Sequence, residues 1–310
     1  MKMHAIFLSQ HGFLRLQGAD TQTFLQGQLS SDLRLLTAAQ GQLSSYNTPK
    51  GRVLALPQLF MNADGSILME LPAGLVEPTL KRLRMFVLRS KVTVEAPGAQ
   101  LQALGLVGDG VAAWLTSQSL PAPEAPLASA STADGLLVAR RLGEPPRYSL
   151  TGAPHQIERL SRSLPAGTLT DDPLRWRRAD IDSGVPVVYP ETRELFIPQM
   201  LNLDLLGGIG FDKGCYTGQE IVARLHYLGQ VKRRLFVAHI AGPCPPPGAS
   251  VITDDGQAAG EIVDAVPGEY GSSNAAGALA TVVVQLSQRQ ARLQLSDGGA
   301  AVQLLRGPDA

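Results

Sequence analysis

Lys213-Gly214-Cys215-Tyr216-Thr217-Gly218-Gln219-Glu220 is the stretch whose residue types and spacing can do chemistry. It carries one of only two cysteines, with a lysine two residues before it. Thr217 and Glu220 have the S/T-x-x-E spacing of a capping box. Ile221, Val222, Leu225 and Leu228 then recur at helical spacing, so a helix is expected to begin near Gly218. A cysteine just ahead of a helix start meets exposed N–H groups and the positive end of the macrodipole. Lys213 adds a positive charge nearby, and both effects favour thiolate over thiol. Cys215 is therefore the candidate reactive thiol and Lys213 its electrostatic partner. Gly214 and Gly218 allow a sharp turn and close approach to a ligand. Glu220 and Arg224, four residues apart, can pair on the helix surface. The competing reading of Cys215 is a small buried hydrophobe.

Other chemistries fit the sequence less well. His226, His239 and Cys244 follow Cys215, but no C-x-x-C or H-x₃₋₅-H spacing exists, so no metal site is expected. An iron–sulfur cluster on this chain alone lacks its four ligands. A protease-like pair with His226 is disfavoured, because eleven residues of chain carry that imidazole along the helix axis. Gly105, Gly108 and Gly110 do not spell G-x-G-x-x-G, and no βαβ unit follows, which argues against a dinucleotide site.

The elements that must position the octet read as α+β. Short strands are expected at 5–8 and 13–17, a helix capped by Asp20, strands at 42–46 and 52–60, and an Asp64-Gly65 turn into 67–71. Val76, Leu80, Leu83 and Val87 mark a helix face, and 91–95 returns as a strand. A second unit begins near Leu101, with strands at 101–107, 135–141 and 147–150 and helices near 111–115, 155–164 and 173–183. Residues 119–133 are Pro/Ala/Ser-rich and read as a mobile loop. Six strand-like runs after Lys232 suggest a small antiparallel β domain, with turns at Asp255-Gly256 and Asp297-Gly298. The domains are expected at 1–98, 99–234 and 235–310.

Lys+Arg and Asp+Glu number 27 each, so whole-chain attraction to nucleic acid is not implied. The basic runs Lys81, Arg82, Arg84, Arg89 and Lys232-Arg233-Arg234 lack interleaved aromatics, and no direct nucleic-acid binding is expected. Two cysteines fit a reducing compartment, and no signal peptide or membrane-length apolar run is seen. A cytoplasmic monomer is the expectation.

The octet and the following Ile221-Val222-Ala223-Arg224 closely resemble the signature of the YgfZ family, folate-binding relatives of the glycine-cleavage T-protein (aminomethyltransferase). Phe24-Leu25-Gln26-Gly27-Gln28, Pro49-Lys50-Gly51-Arg52, Ser183-Gly184-Val185-Pro186 and Phe196-Ile197-Pro198-Gln199, with Asn202-Leu203, continue the resemblance in family order. It implies three subdomains around a central channel that admits tetrahydrofolate or another reduced folate. It also implies partner enzymes carrying iron–sulfur clusters, some of them tRNA-modifying. A pterin needs apolar walls and polar groups at its edge, and its glutamate tail suits cations. Tyr46, Arg52, Gln199, Asn202, Glu220 and Arg224 are suitable, and the matched motifs add Lys50, Tyr216 and Gln219. Asp180 and Asp182 lie where T-protein-like sites place an acidic pterin contact, and Asp182 is favoured. Where the transferases carry a catalytic aspartate, this chain has Asn47-Thr48-Pro49-Lys50-Gly51-Arg52, without a carboxylate. A lysine there reverses the local electrostatics, so aminomethyl transfer is not expected. The resemblance thus favours a folate-dependent accessory protein that maintains client clusters through Cys215. The alternatives are a one-carbon enzyme and a non-catalytic scaffold.

Overall fold

In the computed structural model, which describes residues 2–268 and 277–308, the strand-forming runs of the first half assemble into two five-stranded antiparallel sheets. One has Gln42–Leu43, Gln58–Met61, Ile67–Pro72, His11–Gln17 and Thr93–Glu95 side by side in that order. The helix Ala73–Val87 buries Leu75, Thr79, Leu80 and Leu83, one stripe at helical spacing, and packs on His11–Gln17. The other sheet runs His4–Phe7, Gln102–Val107, Arg147–Gly152, Leu137–Arg140 and Ser129–Ser131. The chain's first strand therefore joins the second sheet, with His4 opposite Val107 and Phe7 opposite Leu104.

The C-terminal strands close on themselves as an antiparallel barrel: Arg233–Ile240, Ala278–Gln285, Ala258–Pro267, Ser250–Thr253, Leu293–Leu295 and Ala301–Arg306. Alternation drives it. Phe236, Ala238 and Ile240, and Ala278, Ala280, Val282 and Val284, point every second side chain into one core. Closure leaves no open edge to pair with another chain.

Two compact units result. The first comprises residues 2–46, 55–176 and 207–216, and the second comprises 47–54, 177–206 and the described residues from 217 onward. The chain passes from the first unit to the second inside the octet, between Tyr216 and Thr217.

Two local expectations are corrected. The stretch 119–133 ends in an ordered edge strand, because Leu127 is buried and its N–H and C=O bond to Arg140 and Gly41. Asp20 is the N-cap residue of the helix Thr21–Gln26, but its side chain makes no capping bond; its carboxylate accepts from the Lys91 N–H instead.

An ion network unforeseen from sequence lies in the first unit. Glu70 is buried and accepts two hydrogen bonds from Arg141, at 2.7 and 3.1 Å, and one from His11 Nδ1 at 2.5 Å. Burial raises the Glu70 carboxyl, but the Arg141 charge and the His11 hydrogen bond outweigh it and hold it at about 2. The Trp176 ring adds cation–π contacts to Arg141 and Arg147, at 5.8 and 4.9 Å. Because the folded pKa lies below the unfolded value, Glu70 contributes stability above about pH 4.5 that is lost as pH falls toward about 2. Glu70→Gln strands the buried Arg141 charge and is expected to cost about 3 kcal/mol at pH 7. In urea unfolding, the gap between wild type and Glu70→Gln should narrow between pH 4.5 and pH 2; a pH-independent gap contradicts the ion-pair account.

Candidate functional site

The Phe24–Gln28 motif builds the floor of the octet's first half. Phe24 and Leu25 are buried, while the Gln26 amide donates to Asp32 and accepts from the Leu33 N–H. The turn that follows is held by buried hydroxyls. Ser30 Oγ bonds the Gly208 carbonyl at 2.6 Å and receives the Ser45 N–H, and Ser44 Oγ receives the Ser31 N–H.

Lys213 locks onto this turn. Its Nζ donates to the Leu29 and Ser31 carbonyls at 2.6 and 2.7 Å and lies 4.9 Å from the Tyr216 ring centroid. Burial pulls the Lys213 amine down to about 8, partly opposed by the Asp32 carboxylate. Asp32 itself is held well below the usual carboxylate range by its hydrogen bonds to Arg34. Tyr216 is buried, and burial pushes its phenol up. Between these two buried anchors, Cys215 is exposed and free. Gly214 is also exposed, and a Cβ built on it would meet nothing within 4 Å. The protein's own packing therefore does not require glycine at 214.

Tyr46 belongs to the same unit. It is buried, the Arg82 guanidinium lies 5.8 Å from its ring centroid, and burial pushes its phenol up to about 12. The other basic side chains of that helix are engaged locally: Arg84 bonds the Val94 carbonyl and Lys81 pairs with Glu77.

The octet's second half lies in the second unit. Thr217 does not form the expected capping box. The helix runs Gln219–Leu228, and its N-cap is Gly218, at φ 85° and with no side-chain bond. Tertiary contact decides this, since a Cβ on Gly218 would lie 2.6 Å from the Thr48 carbonyl oxygen and 3.0 Å from the Gly51 Cα. Residues 48–52 are a tight turn, closed by Gly51 N–H to Thr48 C=O and Thr48 N–H to Arg52 C=O. Lys50 and Arg52 sit exposed on it, with Arg52 donating to the Leu195 carbonyl at 2.7 Å. Gln199 and Asn202 are buried, and their amides donate to the Val222 and Leu235 carbonyls. Gln219 is half-buried, whereas Glu220 and Arg224 are exposed. Among the described residues no ion pair joins Glu220 to Arg224; two solvated side chains gain little by pairing. Asp182 ends the helix Leu174–Asp182, half-exposed and 3.7 Å from Arg178, while Asp180 is buried.

Sequence reasoning passed over Asn47. Both of its amide atoms are buried without a hydrogen-bond partner. So are Ser31 Oγ, Ser45 Oγ and Gln28 Oε1 in the first unit and Gln199 Oε1 and Asn202 Oδ1 in the second. Leaving such groups unpaired costs about 1–3 kcal/mol each, so within each unit they are donors and acceptors that a polar partner satisfies. The only sequence signal for Asn47 was its place beside Tyr46. Among the described residues no group of three His, Cys, Asp or Glu is arranged to hold a metal, and no helix is long and apolar enough to cross a membrane.

No family model matches the chain. A protein of Colwellia psychrerythraea named tRNA-modifying protein YgfZ is 30% identical over 233 residues, 75% of this chain and 70% of that protein. Proteins of the same name from Edwardsiella ictaluri and Yersinia pestis are 36% and 32% identical, covering 72% and 74% of this chain and 67% and 69% of their own lengths. The crystal structure of glycine cleavage system aminomethyltransferase T from Bartonella henselae superposes with a TM-score of 0.80 at 16% identity, over 98% of this chain and 85% of that one. The α+β aminomethyltransferase-type fold with a C-terminal β-barrel, expected from the motifs, is thereby the fold observed.

Gly218→Ala is expected to destabilise the chain by about 2 kcal/mol or more, through both the left-handed φ and the clash with Thr48. Equilibrium unfolding measures it, and a loss under about 0.5 kcal/mol contradicts the packing described.

Proposed function

Because the chain belongs to the YgfZ family of tRNA-modifying proteins, we propose that it is a reduced-folate-binding accessory protein that maintains the iron–sulfur clusters of client enzymes, tRNA-modifying enzymes among them. The observation that carries this reading is the exposed free thiol of Cys215, set between the buried anchors Lys213 and Tyr216. A thiol so mounted can meet a client surface while its backbone stays fixed. The bare backbone at Gly214 beside it supports close approach by a ligand or client.

Tyr46, Asn47, Gln199, Asn202, Tyr216 and Gln219 would hold the pterin, with Asp182 and Glu220 as its acidic contacts. Lys50, Arg52 and Arg224, exposed cations, suit the anionic glutamate tail. When bound, tetrahydrofolate supplies a readily oxidised pterin and nitrogens able to carry a one-carbon unit. Lys213 keeps the thiol-bearing loop seated on Leu29–Ser31. The protein would work in the cytoplasm as a monomer, without gripping nucleic acid. Arg234, in the second basic run, is already paired with Asp204 in two hydrogen bonds, which supports that last point.

The fold likeness favours a second reading, a folate-dependent one-carbon enzyme. The turn at 48–52 carries Lys50 and no carboxylate, which argues against aminomethyl transfer. Tetrahydrofolate-dependent release of a one-carbon unit from an aminomethylated carrier by the pure protein would favour the enzyme reading.

Tetrahydrofolate at a hundred times its Kd should stabilise wild type by about 2.7 kcal/mol, and Cys215→Ala by a similar amount. Cys215→Ala should nevertheless fail to support client cluster enzymes under oxidative stress. Absence of folate stabilisation, with Cys215 inert to mild alkylation, would point to a scaffold instead. Gly214→Ala separates fold from function: unfolding free energy should stay within about 0.5 kcal/mol of wild type while client support falls. Full client support by Gly214→Ala would remove the case for close approach at this loop.

A further inference from the structure

A cavity of about 530 Å³ lies within the first unit and has no part in the folate reading. Phe7, Leu8, Phe13, Leu101 and Ala103 give it an apolar wall. Its size and lining are those of a small-molecule pocket. The ionisable residues that line it are His11 and Glu158. Glu158 is matched by Arg162, 2.5 Å away on the same helix.

His11 is held as a presented group. Its Nδ1 is 2.5 Å from Glu70 Oε1, and Glu70 is braced from its other side by Arg141, which also bonds Ser149 Oγ. A buried carboxylate accepting from Nδ1–H fixes the ring's orientation and leaves Nε2 to face outward. Among the described residues Nε2 has no hydrogen-bond partner, and it is not among the buried polar atoms cut off from solvent. The Trp176 ring packs edge-on against the imidazole, 6.2 Å between centroids, and limits its rotation. Glu70 is paired with Arg141 and Glu158 with Arg162, so the outward Nε2 is the polar atom that His11 offers beside the apolar wall.

We propose that this pocket is a second ligand site that takes a compact, flat apolar monocarboxylic acid, its carboxyl group hydrogen-bonded to His11 Nε2. Glu70 is a positioning residue for His11, and Phe7 and Phe13 contact the apolar body.

The test uses the full chain with 2-naphthoate as probe and its neutral isostere 2-naphthamide as control, followed by calorimetry. Naphthoate should bind saturably and at least about tenfold more tightly than the amide, the ratio expected of one charge-assisted hydrogen bond. His11→Gln should abolish that preference. Ser9→Trp, at an exposed position of the rim, should block both ligands. In wild type, the His11 ring proton resonances should shift with the same saturation curve, a readout independent of how the variants fold. Tetrahydrofolate should leave naphthoate affinity unchanged. Equal binding of acid and amide, binding unaffected by His11→Gln, no saturable binding at millimolar naphthoate, or competition by tetrahydrofolate would each overturn the proposal.

Discussion

One buried ammonium governs the geometry of the octet. A lysine head removed from water must hydrogen-bond, and Lys213 does so against the Leu29 and Ser31 carbonyls. Those carbonyls belong to a turn that is itself fixed by Ser30, Ser44 and the Gln26 side chain. The N-terminal FLQGQ motif and the octet, almost two hundred residues apart, therefore answer one requirement. The first builds a turn with inward carbonyls, and the second supplies the cation that satisfies them. Downward displacement of the Lys213 amine to about 8 is the electrostatic mark of that burial.

From this anchor the exposure of Cys215 follows. Lys213 and Tyr216 point inward, and the two residues between them are left outside. A reactive thiol is useful only if it is accessible and its position is defined, and the arrangement gives both. Immediately afterwards the chain passes into the second unit, where Gly218 packs against the Thr48–Arg52 turn so closely that no side chain fits. The eight residues thus combine three demands: a buried cation, an open thiol and a bare backbone contact.

What the sequence disclosed and what it hid divide along physical lines. Barrel strands were legible because alternation over three to ten residues is local information, as at Phe236, Ala238 and Ile240. Helix Ala73–Val87 was legible from its apolar spacing, although Leu75 and Thr79, rather than Val76 and Val87, complete the buried stripe. The pairing of His4–Phe7 with Gln102–Val107 was not, since nothing local chooses a partner a hundred residues away. The Thr217 capping box had the right spacing and still failed, because a close approach to Thr48 and Gly51 set the N-cap. Composition called 119–133 a loop, yet buried Leu127 ties its end into a sheet. The buried networks Glu70–Arg141–His11 and Arg177–Asp264–Tyr189 link residues 71 and 87 positions apart, where charge patterning carries no signal. The thiol and its lysine were visible as residue types, whereas the direction in which the lysine points was a tertiary fact.

The central proposal is that the thiol-bearing loop and the unsatisfied groups at Ser45 and Tyr46 of the same unit serve one reduced folate. Amide hydrogen exchange, with and without saturating tetrahydrofolate, tests it most directly. The account predicts slowed exchange in the peptides spanning Ser45–Tyr46 and Gly214–Tyr216 together, with the barrel strands unchanged. Slowing confined to other segments, or none at either peptide, would contradict it.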